Sequence, residues 1–98
     1  MSMLLKLVQL LSRSKIPEDW YCIYNESGKR IAGVPDSGFQ LEYKSGWHVY
    51  LSDSYRGGVW ADEAYSTLRE ACIAFLKRSD EYFHLASHIP EFEEQAAS

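Results

Sequence analysis

His84 and His88 stand at i and i+4, a spacing that on a helix turns both imidazoles to one side. A zinc site takes a third and usually a fourth ligand, and Glu81 or Glu91 are the nearby candidates. The His-Glu-x-x-His zinc motif needs Glu directly after its first His, and Leu85 occupies that place. The pair therefore reads as two surface histidines. Glu42 and His48 form a second constellation. Placed opposite each other on paired strands, a carboxylate would raise the imidazole pKa and make a general base. No Ser or Cys is brought to them by spacing, and acid-base pairs across solvent-facing strands are common. Ser27-Gly28-Lys29 and Arg56-Gly57-Gly58 carry glycine beside a cation. A phosphate cradle needs a longer glycine-spaced loop opening onto a helix, so both read as ordinary turns.

A fourth group suits binding rather than catalysis. Asp53, Tyr55, Asp62 and Glu63 flank one tight excursion that also holds Trp60. If Val59 pairs back on Leu51, the acids converge around the aromatic residues. Aromatic anchors inside a charged rim are the composition of a protein interface. Glu42 and Tyr50 stand behind this group on the neighbouring strand. No residue is assigned a catalytic role, and no metal or cofactor is expected.

The elements that must position these residues are set by periodicity. Leu4, Leu7, Val8 and Leu11 fall at i, i+3, i+4 and i+7, which predicts an amphipathic helix ending near Arg13. Pro17 stops any helix before it. Trp20 to Tyr24 is strand-like by its aromatic and β-branched content, and Arg30 to Val34 reads as a short return strand. Phe39, Leu41 and Tyr43 alternate with polar residues, as do Trp47, Val49 and Leu51. A Lys44-Ser45-Gly46 loop then sets Tyr43 against Trp47, Leu41 against Val49 and Phe39 against Leu51, all on the core face. Glu42 faces His48 and Gln40 faces Tyr50 on the other side. Tyr24 shares that second face, which is open only if both helices lie on the first. Another strand begins at Val59-Trp60. Thr67 and Glu70 have the spacing of a capping box. Leu68, Ala71, Cys72, Phe75 and Leu76 are the buried stripe of the helix it starts, with Arg69, Glu70, Lys77 and Arg78 toward water. Pro90 ends the segment after that helix. The expected fold is α+β, an antiparallel sheet of four or five strands in α-β-β-β-β-α order. Residues 1–90 form one domain, and 91–98 an acidic, frayed tail.

Composition limits the function classes. The chain has 98 residues, with 14% aromatics and a formal net charge of −4. Nucleic-acid binders carry the opposite balance, because neutralising phosphates drives their affinity. No nucleic acid is expected, and a basic protein is the natural partner. Cys22 and Cys72 lie among apolar residues and read as reduced core thiols, which fits the cytoplasm. The apolar N-terminus has no basic residue before it, is interrupted by Lys6, and runs into Ser12-Arg13-Ser14-Lys15 rather than a cleavage site. It reads as a helix and not an export signal. No apolar run approaches a membrane span.

The order of helix, antiparallel strands and helix resembles the double-stranded RNA-binding domain in topology. That family needs a lysine-rich start to its second helix, and here Asp62-Glu63-Ala64-Tyr65-Ser66-Thr67-Leu68-Arg69-Glu70 is acidic. Trp47-His48-Val49-Tyr50-Leu51 and Tyr65-Ser66-Thr67-Leu68-Arg69-Glu70-Ala71, in a small acidic α+β frame, resemble small bacterial immunity proteins over residues 38–78. That resemblance implies a non-enzymatic, cytoplasmic antidote that binds one cognate toxin domain and blocks its active site or substrate path. Asp53, Tyr55, Asp62 and Glu63, with Glu42 and Tyr50 behind them, are then the expected contact surface. The alternative is a small homomeric adaptor or regulatory domain that dimerises through its sheet face or an edge strand. A third reading is a small enzyme using His48, or His84 with His88.

Overall fold

The structure, a computed structural model, describes residues 2–35, 37–53, 58–90 and 92–93, with the backbone alone for Asp53 and Trp60. Ser2 caps helix α1 (Met3–Arg13), its hydroxyl accepting from the Leu5 amide at 3.2 Å. Leu4, Leu7, Leu10 and Leu11 are its buried side. The helix stops before Pro17 can act. Lys15 takes a left-handed φ of 59°. The amides of Lys15 and Ile16 then return to the carbonyls of Ser12 (3.1 Å) and Leu11 (3.2 Å), a Schellman ending.

A 3-10 turn at Glu18–Trp20 leads into β1 (Tyr21–Tyr24), and β2 (Arg30–Gly33) returns antiparallel to it. The turn between them is organised by Asn25, whose Oδ1 accepts from the amides of Ser27 and Lys29, each at 3.0 Å. Strands β3 (Ser37–Tyr43), β4 (Trp47–Asp53) and β5 (Gly58–Tyr65) complete a sheet of order β2-β1-β3-β4-β5.

This corrects the expected antiparallel sheet and its α-β-β-β-β-α order. Among the described residues five strands lie between the helices, and the sheet is mixed, because β1 pairs with β3 in parallel: Tyr21 with Phe39, Cys22 with Gln40, Ile23 with Leu41. With β1 lying between β2 and β3, the link from Gly33 to Ser37 must cross over the start of β1. Two glycines allow it. Gly33 (φ 84°) and Gly38 (φ 72°) both lie in the left-handed region, against the backbone of β1 and its lead-in. A Cβ on Gly33 would collide with the Tyr21 carbonyl oxygen, and one on Gly38 would collide with that of Trp20. The Val34 amide closes the crossing by donating to Tyr21 O at 2.9 Å.

The hairpin of β3 and β4 has the register its alternation predicts, Tyr43 with Trp47 through Phe39 with Leu51. Phe39, Leu41, Trp47 and Val49 are buried in the core, and Leu51 packs against it. Tyr43 differs: it lies at the hairpin tip, 41% exposed, with its ring edge-on to Trp47 at 5.2 Å.

Helix α2 (Leu68–Phe83) starts where the capping pattern places it. Thr67 Oγ1 accepts from the Glu70 amide at 3.1 Å, and the hydroxyls of Thr67 and Ser66 donate to Glu70 Oε1 at 3.0 and 3.1 Å. The helix runs past Arg78, so Lys77 and Arg78 do not form its last turn. It ends at His84, whose left-handed φ of 57° and amide bond to Asp80 O (2.8 Å) make an αL cap. Both helices share one core cluster with Ile23, Leu41 and Val49, so both cover the same sheet face. Beyond them Phe92 is buried in that cluster, and residues 89–90 and 92–93 are helical. Pro90 therefore sits within a helical stretch, where the first turn tolerates a missing N–H. Of the expected tail, 91 and 94–98 lie outside the described residues.

Gly33→Ala should lower unfolding stability in urea by at least about 2 kcal/mol, since left-handed strain and a backbone clash add. Gly28→Ala is the control. Gly28 has a φ of 83° but no atom within 4 Å of a Cβ, so only the strain of about 1 kcal/mol applies.

Candidate functional site

The sheet face away from the helices carries Cys22 and Tyr24 from β1, Gln40 and Glu42 from β3, and His48, Tyr50 and Ser52 from β4. Its centre is closed to solvent. Cys22, Gln40, Tyr50 and Ser52 are buried, and Gln40 Nε2 donates to Ser37 O at 2.8 Å. No buried polar side-chain atom among the described residues lacks a partner. Toward the β3–β4 turn and β5 the face opens and becomes ionic. Tyr50 donates its hydroxyl to Glu42 Oε1 at 2.6 Å. Lys44 Nζ lies 3.6 Å from the same carboxylate oxygen and 4.8 Å from the centroid of the Tyr50 ring.

His48 does stand opposite Glu42 in the register, but its imidazole turns the other way. His48 Nδ1 and Asp62 Oδ1 are 2.8 Å apart. The reason is a bulge in β5. Val49 pairs with Glu63 and Leu51 with Trp60, so Ala61 and Asp62 together oppose Tyr50. Ala61 takes a left-handed φ of 58° there, a place usually given to glycine. Arg78 reaches across from α2 to this irregular point. Its Nη1 donates to Val49 O at 2.7 Å, and its Nη2 donates to Ala61 O.

The expected contact residues are thus divided. Asp62 joins Glu42, Tyr50 and His48 on the face without helices. Glu63, one residue on, points to the helix side, where it accepts from the Tyr65 hydroxyl at 2.7 Å. The backbone of Asp53 pairs with Gly58 at the far end of β5, about 13 Å along the strand from Asp62. The convergence of acids expected from a Val59–Leu51 pairing does not form, because Val59 pairs with Ser52. Tyr55 lies outside the described residues.

The histidine pair fares differently from its spacing. The helix ends at Phe83, His84 is its left-handed cap, and His88 closes a 3-10 turn at Ala86–His88. The two therefore do not share a helix face. Among the described residues no three His, Cys, Asp or Glu side chains are grouped to hold a metal ion. Cys22 and Cys72 are both buried thiols, and burial pushes the Cys72 thiol up to about 12. The residue types alone did not single out Arg78. Its signal was its place beside the buried stripe, three residues after Phe75 and seven after Ala71.

Comparison with protein-family models, with curated proteins and with solved structures finds no match to this chain. No helix among the described residues is long and apolar enough to cross a membrane.

Arg78→Met keeps the aliphatic stem and removes both charged hydrogen bonds. It should lower stability by about 2 kcal/mol and speed amide exchange in β5, read by hydrogen exchange. Alkali should act at two tyrosines. Burial, aided by Glu18, raises the pKa of Tyr21 above 10.0. Burial, with the Glu63 hydrogen bond and charge, raises that of Tyr65 against the lowering effect of Arg78. The unfolded chain loses these protons first, so their stabilisation is complete below pH 10 and falls as pH rises above it. Tyr65→Phe should flatten that decline in urea titrations above pH 10.

Proposed function

We propose that the protein is a non-enzymatic immunity protein that neutralises a basic toxin domain by covering its active site or substrate path. The observation that carries this reading is the ionic part of the sheet face opposite the helices. Glu42 and Asp62 stand there around the buried Tyr50 ring, each carboxylate oriented by a hydrogen-bonding neighbour. Prepositioned acids on a sheet lose little freedom on meeting cations, and a net charge of −4 steers a basic partner toward them. The buried thiols Cys22 and Cys72 suit a reducing compartment, consistent with a cytoplasmic antidote. Lys44 is the counterweight on this surface. It already screens Glu42, so Asp62 carries the larger share of the attraction.

The test is capture from the native lysate with the protein as bait, at low and high salt, read by mass spectrometry. One dominant basic protein, held at low salt and released at high, is expected. Asp62→Lys should weaken its binding roughly tenfold, while Glu63→Lys, the same charge change on the opposite face, should leave it nearly unchanged. Equal losses in the two variants would remove the sheet face from the interface, and no partner at either salt would remove the function.

A further inference from the structure

The two acids of the ionic face meet different counter-charges. Glu42 has a permanent cation beside it, Lys44 Nζ at 3.6 Å, and its carboxylate also accepts from the Tyr50 hydroxyl. Asp62 has His48 instead, with Nδ1 at 2.8 Å from Oδ1. Asp62 is also the more open acid, its side chain 42% exposed against 23% for Glu42. The more accessible carboxylate is therefore the one whose neighbour changes charge with pH, because histidine ordinarily titrates between about pH 5 and pH 8.

The same contact fixes where that proton goes. An ionised carboxylate only accepts hydrogen bonds, so His48 Nδ1 must carry the hydrogen and donate it to Asp62. Nε2 is then the bare nitrogen. A proton added there leaves the bond to Asp62 in place, so the charge of the face changes while its geometry is kept. The surroundings of His48 do not titrate with it. Across β3 it faces Glu42, with Lys44 on the same carboxylate, and Tyr50 shares its face on β4. From β5 come Asp62 and the uncharged Ala64. Arg78 approaches from α2 but directs its guanidinium to the carbonyls of Val49 and Ala61. Lysine and arginine stay charged through the histidine range, carboxylates stay ionised and tyrosine stays neutral. Among the described residues of this face, His48 is the group that responds.

We propose that His48 sets the pH range in which the sheet face takes a cationic partner. Neutral His48 leaves Asp62 its charge, and protonated His48 cancels it and releases the partner. With His48 neutral, the group of Glu42, Lys44, His48 and Asp62 carries one net negative charge, and with His48 protonated it carries none. Affinity is then full above the titration of His48 and falls as pH drops through it. The proposal rests on the preceding reading of this face as the interface and adds its regulation.

The ring is read first, without any partner. Long-range nitrogen–proton magnetic resonance spectra of the labelled full chain at about pH 8 should show neutral His48 as the Nδ1–H tautomer. The Nε2–H tautomer would overturn the proposal. Binding is then read with an acetyl-pentalysine amide peptide at low salt, from the backbone amides of Glu42, Tyr50 and Asp62. Its affinity should fall about two- to fivefold between about pH 8 and about pH 5.5, the worth of one exposed charge pair. His48→Gln, whose amide can still donate to Asp62 but takes up no proton, should bind equally at both pH values. An unchanged affinity in the native protein would overturn the switch and leave the sheet-face reading standing. The same fall in His48→Gln would do likewise and move the sensor to His84 or His88. No shift of these amides at either pH would remove the sheet face as a cation site, and the switch with it.

Discussion

The crossing of the chain over the start of β1 is the constraint on which the rest of the structure depends. Only a few residues link β2 to β3, and they pass over backbone that leaves no room for a Cβ at Gly33 or Gly38. With that crossing made, β3 must run parallel to β1, and Ile23, Leu41 and Val49 align as one apolar row beneath the helices. The same crossing sets Gly38 directly against the Trp20 backbone. A side chain at either glycine would force the crossing loop outward and break the pairing of β1 with β3.

A second irregularity decides which acids stand together. The bulge at Ala61 and Asp62 adds one residue to β5 opposite Tyr50. It brings Asp62 to His48 and leaves Glu63 on the helix side with Tyr65. Arg78 ties the bulge to α2 through two backbone carbonyls. A guanidinium suits this place because its planar fork can satisfy two acceptors at once and stays charged when partly buried. The geometry of the ionic face therefore rests on a residue that does not belong to that face.

Much of the local structure was legible in the residues. The hairpin register followed from the period-two alternation of Phe39 to Leu51, since a one-residue slip would expose every core side chain. The start of α2 followed from Thr67 and Glu70, whose hydrogen bonds are confined to one helical turn. The divided fate of Asp62 and Glu63 was not legible, because a bulge adds a residue without a distinctive type when alanine takes the left-handed place. The partner of His48 was hidden for the same reason: Glu42 is its neighbour by register, and Asp62 only by the bulge.

By itself the amino-acid sequence determined the features that short-range physics controls. It set where helices begin, which residues alternate, which cysteines are buried, and the acidic balance that favours a basic partner. Only the tertiary structure decided the parallel pairing of β1 with β3, the placement of both helices on one face, and the separation of Asp62 from Glu63. Those outcomes turn on steric contacts between segments distant along the chain, where a missing Cβ or one inserted residue selects among arrangements that local propensity leaves equal.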